Sequence, residues 1–363
     1  MYAKDMNWDD DYTLENSNDT RRGMLQLAMY AMHVGTGNSL FCKTIKVATV
    51  KQYVRAAATF LGLFGDKTRD YRKELPTDTK TAPILNSVFV ELGRWEVVEN
   101  RREPFTLEML HDIQETITTT AQTEDSLMAA AADWFECGLF LGLRLSEWAQ
   151  DTPGKNIEAY QRDFRQQSRA FNMSDIRFES NTRARLTAQQ VLENNLDDSI
   201  VKCWVKFRTQ KNGHNGEERL FTRNEKVGGK CLIRPMLNIL RRFARILGTK
   251  DTHTPLALYR ERGDKPPKFI TASDIERLMR QSAARVYSLD PVKDFTALQK
   301  WSAHSLRVGG CVILHAMGYT ETMIQWLLRW RSNAFMLYLR NVAIISTRHH
   351  QTLDTAASMP NFL

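Results

Sequence analysis

His304-Ser305-Leu306-Arg307 opens the most informative stretch of this 363-residue chain. Trp330 follows it in Leu328-Arg329-Trp330-Arg331-Ser332-Asn333, and Tyr338 follows in Ala334-Phe335-Met336-Leu337-Tyr338-Leu339-Arg340. On a helix His304 and Arg307 share a face, so an arginine fork and an imidazole can address one anionic group together. Trp330 lies 23 residues beyond Arg307 in a polar junction, where an indole N–H suits a phosphate oxygen. Tyr338 lies eight residues beyond Trp330 on an amphipathic helix with Ser332 as N-cap. A tyrosine nucleophile needs cations around it, because a free phenol ionises only near about pH 10. Far upstream, Gly142-Leu143-Arg144-Leu145-Ser146-Glu147 adds a second arginine with a carboxylate three residues on. The bland readings are a histidine packed near a surface arginine, a core tryptophan and a packing tyrosine. Taken together, two arginines, a lysine, a histidine, an indole and a phenol could hold a phosphodiester and attack it without a metal.

The charge distribution points the same way. The chain carries a formal +8, yet residues 202–250 alone hold 13 Lys+Arg against 3 Asp+Glu. Residues 1–20 hold six acids against one lysine. A concentrated basic region favours a polyanion, nucleic acid first. The cysteines Cys42, Cys137, Cys203, Cys231 and Cys311 are scattered without a Cys-x-x-Cys pair, as expected of reduced, mostly buried thiols in an intracellular protein. No N-terminal apolar segment resembles a signal peptide, and the run from Cys137 to Leu143 is too short to span a bilayer. A metal-dependent nuclease is disfavoured, since the sequence shows no clustered carboxylates or His/Cys ligands, and no cofactor is expected.

The chain reads as mainly α with a small β-sheet or hairpin. Residues 1–20 are expected to form a disordered acidic leader. Residues 21–102 read as a helical domain, in which Val47, Val50, Val54, Ala57, Leu61 and Phe64 form one apolar stripe. Lys43, Lys46, Lys51 and Arg55 punctuate that stretch as a DNA-facing surface or a solvated one. Pro104 marks the linker. Residues 103–345 read as the catalytic domain, with a polar, weakly patterned insertion at about 152–198, and residues 346–363 as a tail. Helices are expected to begin at Thr106-Leu107-Glu108, to run from Ser126 to Leu141 and over 232–247, and to open at a capping box, Ser273-Asp274-Ile275-Glu276. Further helices are expected at His304–Ala316, Thr320–Arg329 and Ser332–Ile345. Between them Val201-Lys202-Cys203-Trp204-Val205-Lys206-Phe207 alternates at period two. The turn Lys211-Asn212-Gly213-His214-Asn215-Gly216 and the return Glu218-Arg219-Leu220-Phe221 complete a hairpin signal.

These residues resemble the tyrosine recombinase (integrase) family. That family is marked by Gly-Leu-Arg-x-Ser-Glu, a hairpin lysine, His-x-x-Arg, a histidine or tryptophan, and a tyrosine. Gly142 to Glu147, Lys211, His304 with Arg307, Trp330 and Tyr338 match in that order. The resemblance covers about residues 105–345, and residues 21–100 resemble the family's core-binding domain. Arg329-Trp330-Arg331-Ser332-Asn333-Ala334-Phe335, with the tyrosine three later, is closer to recombinases of DIRS-like and Crypton mobile elements. Bacterial and phage members usually place the tyrosine nine rather than eight residues on.

The resemblance implies two domains that close as a C-shaped clamp on double-stranded DNA. It implies a dimer on one site and a tetramer on two, with a nuclear location for a eukaryotic mobile element and a cytoplasmic one otherwise. Tyr338 would form a 3′-phosphotyrosine, Arg144 and Arg307 would clamp the non-bridging oxygens, and Lys211 would protonate the leaving 5′-oxygen. His304 would assist proton transfer, Trp330 would brace the phosphate and the active-site packing, and Glu147 would orient Arg144 or its neighbours. Lys206 and Lys202 compete with Lys211, which is favoured because it precedes Asn212-Gly213 at the turn. Lys206, Arg208, Arg241 and Arg242 join Lys43, Lys46, Lys51 and Arg55 as candidate DNA contacts. The leading reading is thus a site-specific recombinase or integrase of a mobile element. The alternatives are a type IB topoisomerase-like enzyme that relaxes one duplex, and a catalytically silent DNA-binding protein of the same fold.

Overall fold

The computed structural model describes residues 20–37, 45–64, 70–73, 79–95, 102–149, 157, 169–210, 215–226, 229–261, 263, 265–330 and 335–339, without the side chains of 20–22, 61–64 and 337. The expected leader and tail, Lys43, Lys211, Ser332 and the side chains of Leu61 and Phe64 lie outside the described residues. The chain divides into two compact units, Met1–Glu99 and Asn100–Leu363.

In the first unit three helices, α1 (Thr20–Gly35), α2 (Val47–Phe64) and α3 (Pro83–Arg94), close around Leu27, Ala31, Val50, Val54, Leu85 and Phe89. Val50 and Val54 of the expected stripe are buried in α2, but the next buried position is Ala58 rather than Ala57, which is half-buried, as is Val47. Pro83 opens α3, where its missing N–H costs nothing.

The second unit is helical around a small sheet. Helix α4 (Leu107–Thr119) is capped by the Thr106 hydroxyl, which accepts from the Met109 N–H. Helix α5 (Leu127–Leu141) is capped the same way by Ser126, and it ends on Gly142 in the left-handed region at φ 55°. Both faces of α5 are buried. Trp134 stacks on Trp148 of the short α6 (Leu145–Trp148) with centroids 5.3 Å apart. Helix α7 (Ala188–Glu193) precedes the sheet's third strand. Helix α8 (Ile233–Leu247) packs Met236, Leu240 and Phe243 inward. Helix α9 (Ala272–Val286) is opened by Thr271, with Asp274 completing the capping box. The box therefore sits two residues earlier than Ser273-x-x-Glu276 predicts. Helices α10 (Phe295–Leu298), α11 (Ser305–Ala316), α12 (Glu321–Leu328) and α13 (Met336–Leu339) complete the unit.

The sheet is larger than a hairpin. Strands β1 (Ile176–Ser180), β2 (Arg185–Thr187), β3 (Ile200–Phe207) and β4 (Glu217–Thr222) form an antiparallel sheet in the order β2-β1-β3-β4. The expected hairpin is β3–β4, with Lys206 opposite Glu218 and Phe207 opposite Glu217. The stretch expected as an insertion instead supplies β1 and β2. Ile176, Phe178 and Ser180 are buried while Arg177 and Glu179 face outward, and Phe178 pairs with Cys203 of β3. A short second sheet pairs β5 (Leu258–Tyr259) with β6 (Lys268–Phe269). Cys137, Cys203, Cys231 and Cys311 are free and buried. Among the described residues no helix is long and apolar enough to cross a membrane.

One close approach positions the site. Gly309 of α11 lies so near the Phe105 carbonyl that any Cβ there would collide with it. The Phe105 N–H in turn donates to the Ser305 carbonyl at 2.9 Å. On the neighbouring side Gly138 of α5 admits Leu306, whose Cδ1 would lie 3.0 Å from a Cβ at that glycine. Helix α11 is thereby seated directly on the segment entering α4 and on α5, just upstream of Arg144.

Candidate active site

Four residues named from the C-terminal stretch meet at the head of α11. His304 is its N-cap, and His304 Nε2 lies 3.0 Å from the Tyr338 hydroxyl. The His304 ring stands edge-on to Trp330 at 6.3 Å, and the Tyr338 ring lies 6.1 Å from Trp330. Arg307 is almost completely buried, with its guanidinium carbon 4.2 Å from the Trp330 ring centre. Its Nη1 donates to the Gly142 carbonyl, and its Nη2 donates to the Arg329 carbonyl at 3.2 Å. Two of five N–H groups are thus committed to carbonyls that fix the fork in place.

Arg144 joins from the other end of the sequence. Gly142 ends α5 in a left-handed turn, and a side chain there would also press on Leu328, whose Cδ2 would be 2.9 Å away. That turn throws Arg144 to the start of α6. Its backbone N–H and Nη1 donate to Glu147 at 2.9 and 3.0 Å. Glu147 is buried, and Arg329 binds it through both nitrogens, each at 2.9 Å. Burial pushes the Glu147 carboxyl up, but the fork of Arg329 and the N–H groups of Arg144 outweigh it and hold the group below the usual carboxylate range.

The cations shape the other groups. Burial first, then Arg307, Arg102 and Arg144, pull His304 down to about 4, so it is a neutral imidazole at neutral pH. Its Nε2 can then accept the Tyr338 proton. Burial, with Arg144 and Arg329 behind it, lowers Arg307 to about 9, which leaves it a cation at neutral pH.

Trp330 takes the packing role expected of it, and a neighbour that the sequence reading did not single out joins it. The Trp330 N–H is buried with no hydrogen-bond partner among the described residues, and the indole ring covers the Arg307 guanidinium. Arg329, which sequence reasoning passed over as part of a polar junction, is the most heavily bonded cation of the site. It sits at φ 57° and stacks on Phe207 of β3 with its guanidinium carbon 3.5 Å from the ring centre. The signal that could have found it is a charged residue between two apolar positions at a helix end, beside the aromatic already singled out.

The candidate lysines are sorted by the strand's period of two. Lys202 pairs with Glu179 at 2.7 Å on the sheet's outer face. Lys206 alternates with Phe207 and so lies on the same outer face, away from the ring that carries Arg329. Lys211 lies outside the described residues. Gln210, the residue before it, reaches Arg329 at 3.3 Å and Glu217 at 2.8 Å, and its N–H donates to Asn215 across the root of the turn.

Several expected DNA contacts are engaged within the protein. Arg242 is buried and bonds Asp133 at 2.5 Å and the Glu124 carbonyl at 2.8 Å, so it holds α8 to α5 instead of meeting a ligand. Arg208 is bonded to Asp175 at 2.9 Å and to the Ala170 carbonyl, staking the end of β3. Arg241 is half-exposed and paired with Asp197. In the first unit Lys46, Lys51 and Arg55 are exposed, and Lys51 lies 5.2 Å above the Phe89 ring.

No family model matches the sequence, and no curated protein is significantly similar to it. Solved structures of the Tn1549 transposon integrase overlap the chain in space. One, in complex with circular intermediate DNA, aligns with 91% of this chain and 85% of its own at a TM-score of 0.40 and 13% identity. Another, a variant bound to transposon right end DNA, aligns with 93% and 95% at a TM-score of 0.37 and 11% identity.

Proposed function

We propose that this protein cleaves and rejoins DNA through a covalent phosphotyrosine, as a site-specific recombinase or integrase of a mobile element. The observation that carries the reading is the 3.0 Å contact between Tyr338 and a neutral His304, set among Arg307, Arg144 and Trp330. In the proposed step Tyr338 Oη gives its proton to His304 Nε2 and attacks phosphorus. The bond from phosphorus to the 5′-oxygen breaks, and that oxygen leaves with a proton from a general acid. The free N–H groups of Arg144 and Arg307 meet the non-bridging oxygens, where charge builds. Lys211 is the proposed acid, a choice supported by the placement of Lys202 and Lys206 on the outer face. The phosphotyrosine keeps the energy of the broken bond, so a second DNA end can displace it without ATP or metal. Exchange between two duplexes implies a tetramer, with a dimer on each site.

The test is covalent trapping on a nicked duplex that the protein binds, read on a denaturing gel. Wild type is expected to give a slow-migrating protein–DNA band that Tyr338→Phe lacks. Transfer of the trapped strand to a second duplex supports the recombinase, and relaxation without transfer favours the topoisomerase-like alternative. Binding with no adduct from wild type leaves only the silent DNA-binding reading.

A further inference from the structure

Arg329 occupies a left-handed backbone conformation that glycine adopts freely and an arginine adopts only under strain. A turn alone would not call for a side chain there. This side chain is buried, and its contacts run to Glu147, to the end of α5, to the root of the β3–β4 turn and to Phe207. Its two terminal nitrogens take both oxygens of Glu147, which carries Arg144. The same nitrogens reach the Leu141 carbonyl at 3.1 Å, at the end of α5, and Gln210 at the root of the β3–β4 turn. Its ring partner is Phe207, and its own carbonyl accepts from Arg307. The next residue is Trp330, whose ring covers Arg307.

We propose that Arg329 is a positioning residue for the cleavage: it locks Glu147 against Arg144 and ties the Arg307–Trp330 pair to the root of the hairpin that leads to Lys211. The inference rests on the cleavage reading above and adds to it a residue that touches neither DNA nor the reacting atoms. A purely structural staple would hold the fold and leave the chemistry proportional to the folded fraction. A positioning residue predicts more. Glu147 is faced by Arg144 beside it, by Arg307 from α11 and by Arg329 from the end of α12. Without the Arg329 fork, burial weighs more heavily on that carboxyl, and it holds a proton more readily than in wild type as pH falls. Protonation weakens its hold on Arg144, so cleavage gains an acid limb that wild type lacks.

The experiment measures the adduct-forming rate on a nicked duplex from pH 5 to 9, with duplex affinity and melting temperature recorded beside it. Arg329→Gly keeps the left-handed turn, Arg329→Lys keeps the charge without the fork, and Glu147→Gln removes the titrating group. The expected result for Arg329→Gly is a rate at least 100-fold down at pH 7, affinity within a few-fold of wild type, and a loss that deepens as pH falls. Arg329→Lys should recover part of the rate. In the Arg329→Gly/Glu147→Gln double variant the slow rate should persist and the acid limb should vanish. A loss that is constant with pH and tracks the folded fraction overturns the inference, as does an unchanged rate. If Arg329→Gly does not fold, Glu147→Gln carries the test: an adduct rate equal to wild type overturns the inference. An absence of adduct from wild type itself overturns the cleavage reading and this inference with it, a result distinct from a variant that matches an active wild type.

Discussion

A neutral imidazole 3.0 Å from a phenol, among guanidinium groups, is a proton acceptor that stays available throughout the neutral range. The environment that keeps His304 neutral also costs the fold stability at acid pH. An exposed imidazole ionises near 6.5, whereas His304 is held near 4 by burial and by Arg307, Arg102 and Arg144. The unfolded chain therefore takes up this proton first. Stability associated with a neutral His304 is whole above about pH 6.5, falls as pH drops through the window from 6.5 to 4, and is gone below it. Urea unfolding at pH 7 and pH 4.5 should show wild type losing about 1–3 kcal/mol more than His304→Gln over that interval. Equal losses in the two proteins would mean that His304 is not held neutral. Arg307 beside it is fixed by carbonyls and by the Trp330 ring, so in the proposed cleavage the cation's geometry would be set before any phosphate arrives.

At the level of elements, the placement of His304 and Arg307 depends on how closely α11 can approach its neighbours. Gly309 leaves no room for a methyl group against the Phe105 carbonyl, a backbone atom that cannot rotate away. Gly309→Ala should cost about 3 kcal/mol in denaturant unfolding, whereas Gly93→Ala in α3, with nothing within 4 Å, should be neutral or slightly stabilising. Similar small effects at both positions would contradict the seating of α11. Most of these helices were legible because their ends carry chemistry: Thr106, Ser126 and Thr320 each accept from an N–H in the first turn. The start of α9 was misplaced because Thr271-x-x-Asp274 and Ser273-x-x-Glu276 overlap, and only the preceding β6 decides between them. Strand β1 was missed for a different reason. Its alternation spans only Ile176 to Ser180 within a polar stretch, and its burial comes from pairing with β3, twenty-odd residues further on in sequence.

On the scale of the molecule, the formal +8 overstates the cations free to meet a polyanion. Arg242 and Asp133 are 109 residues apart in sequence, and Arg329 and Glu147 are 182 apart. Pairs of that range leave no local pattern, which is why Arg242 and Arg208 read as DNA contacts and Arg329 did not register. What the sequence did carry is the order of Arg144, His304, Arg307, Trp330 and Tyr338, because a helix face and a left-handed glycine turn are local properties. The structure brings His304, Arg307, Trp330 and Tyr338 together, and Arg144 reaches them through Glu147 and Arg329. The proposed cleavage puts the covalent bond to DNA on Tyr338. Its most direct test is to digest the trapped adduct with protease and nuclease and to locate the nucleotide by mass spectrometry. A nucleotide phosphate is expected on Tyr338 and nowhere else. A phosphate on another tyrosine or on a serine, or an adduct that survives in Tyr338→Phe, would contradict it.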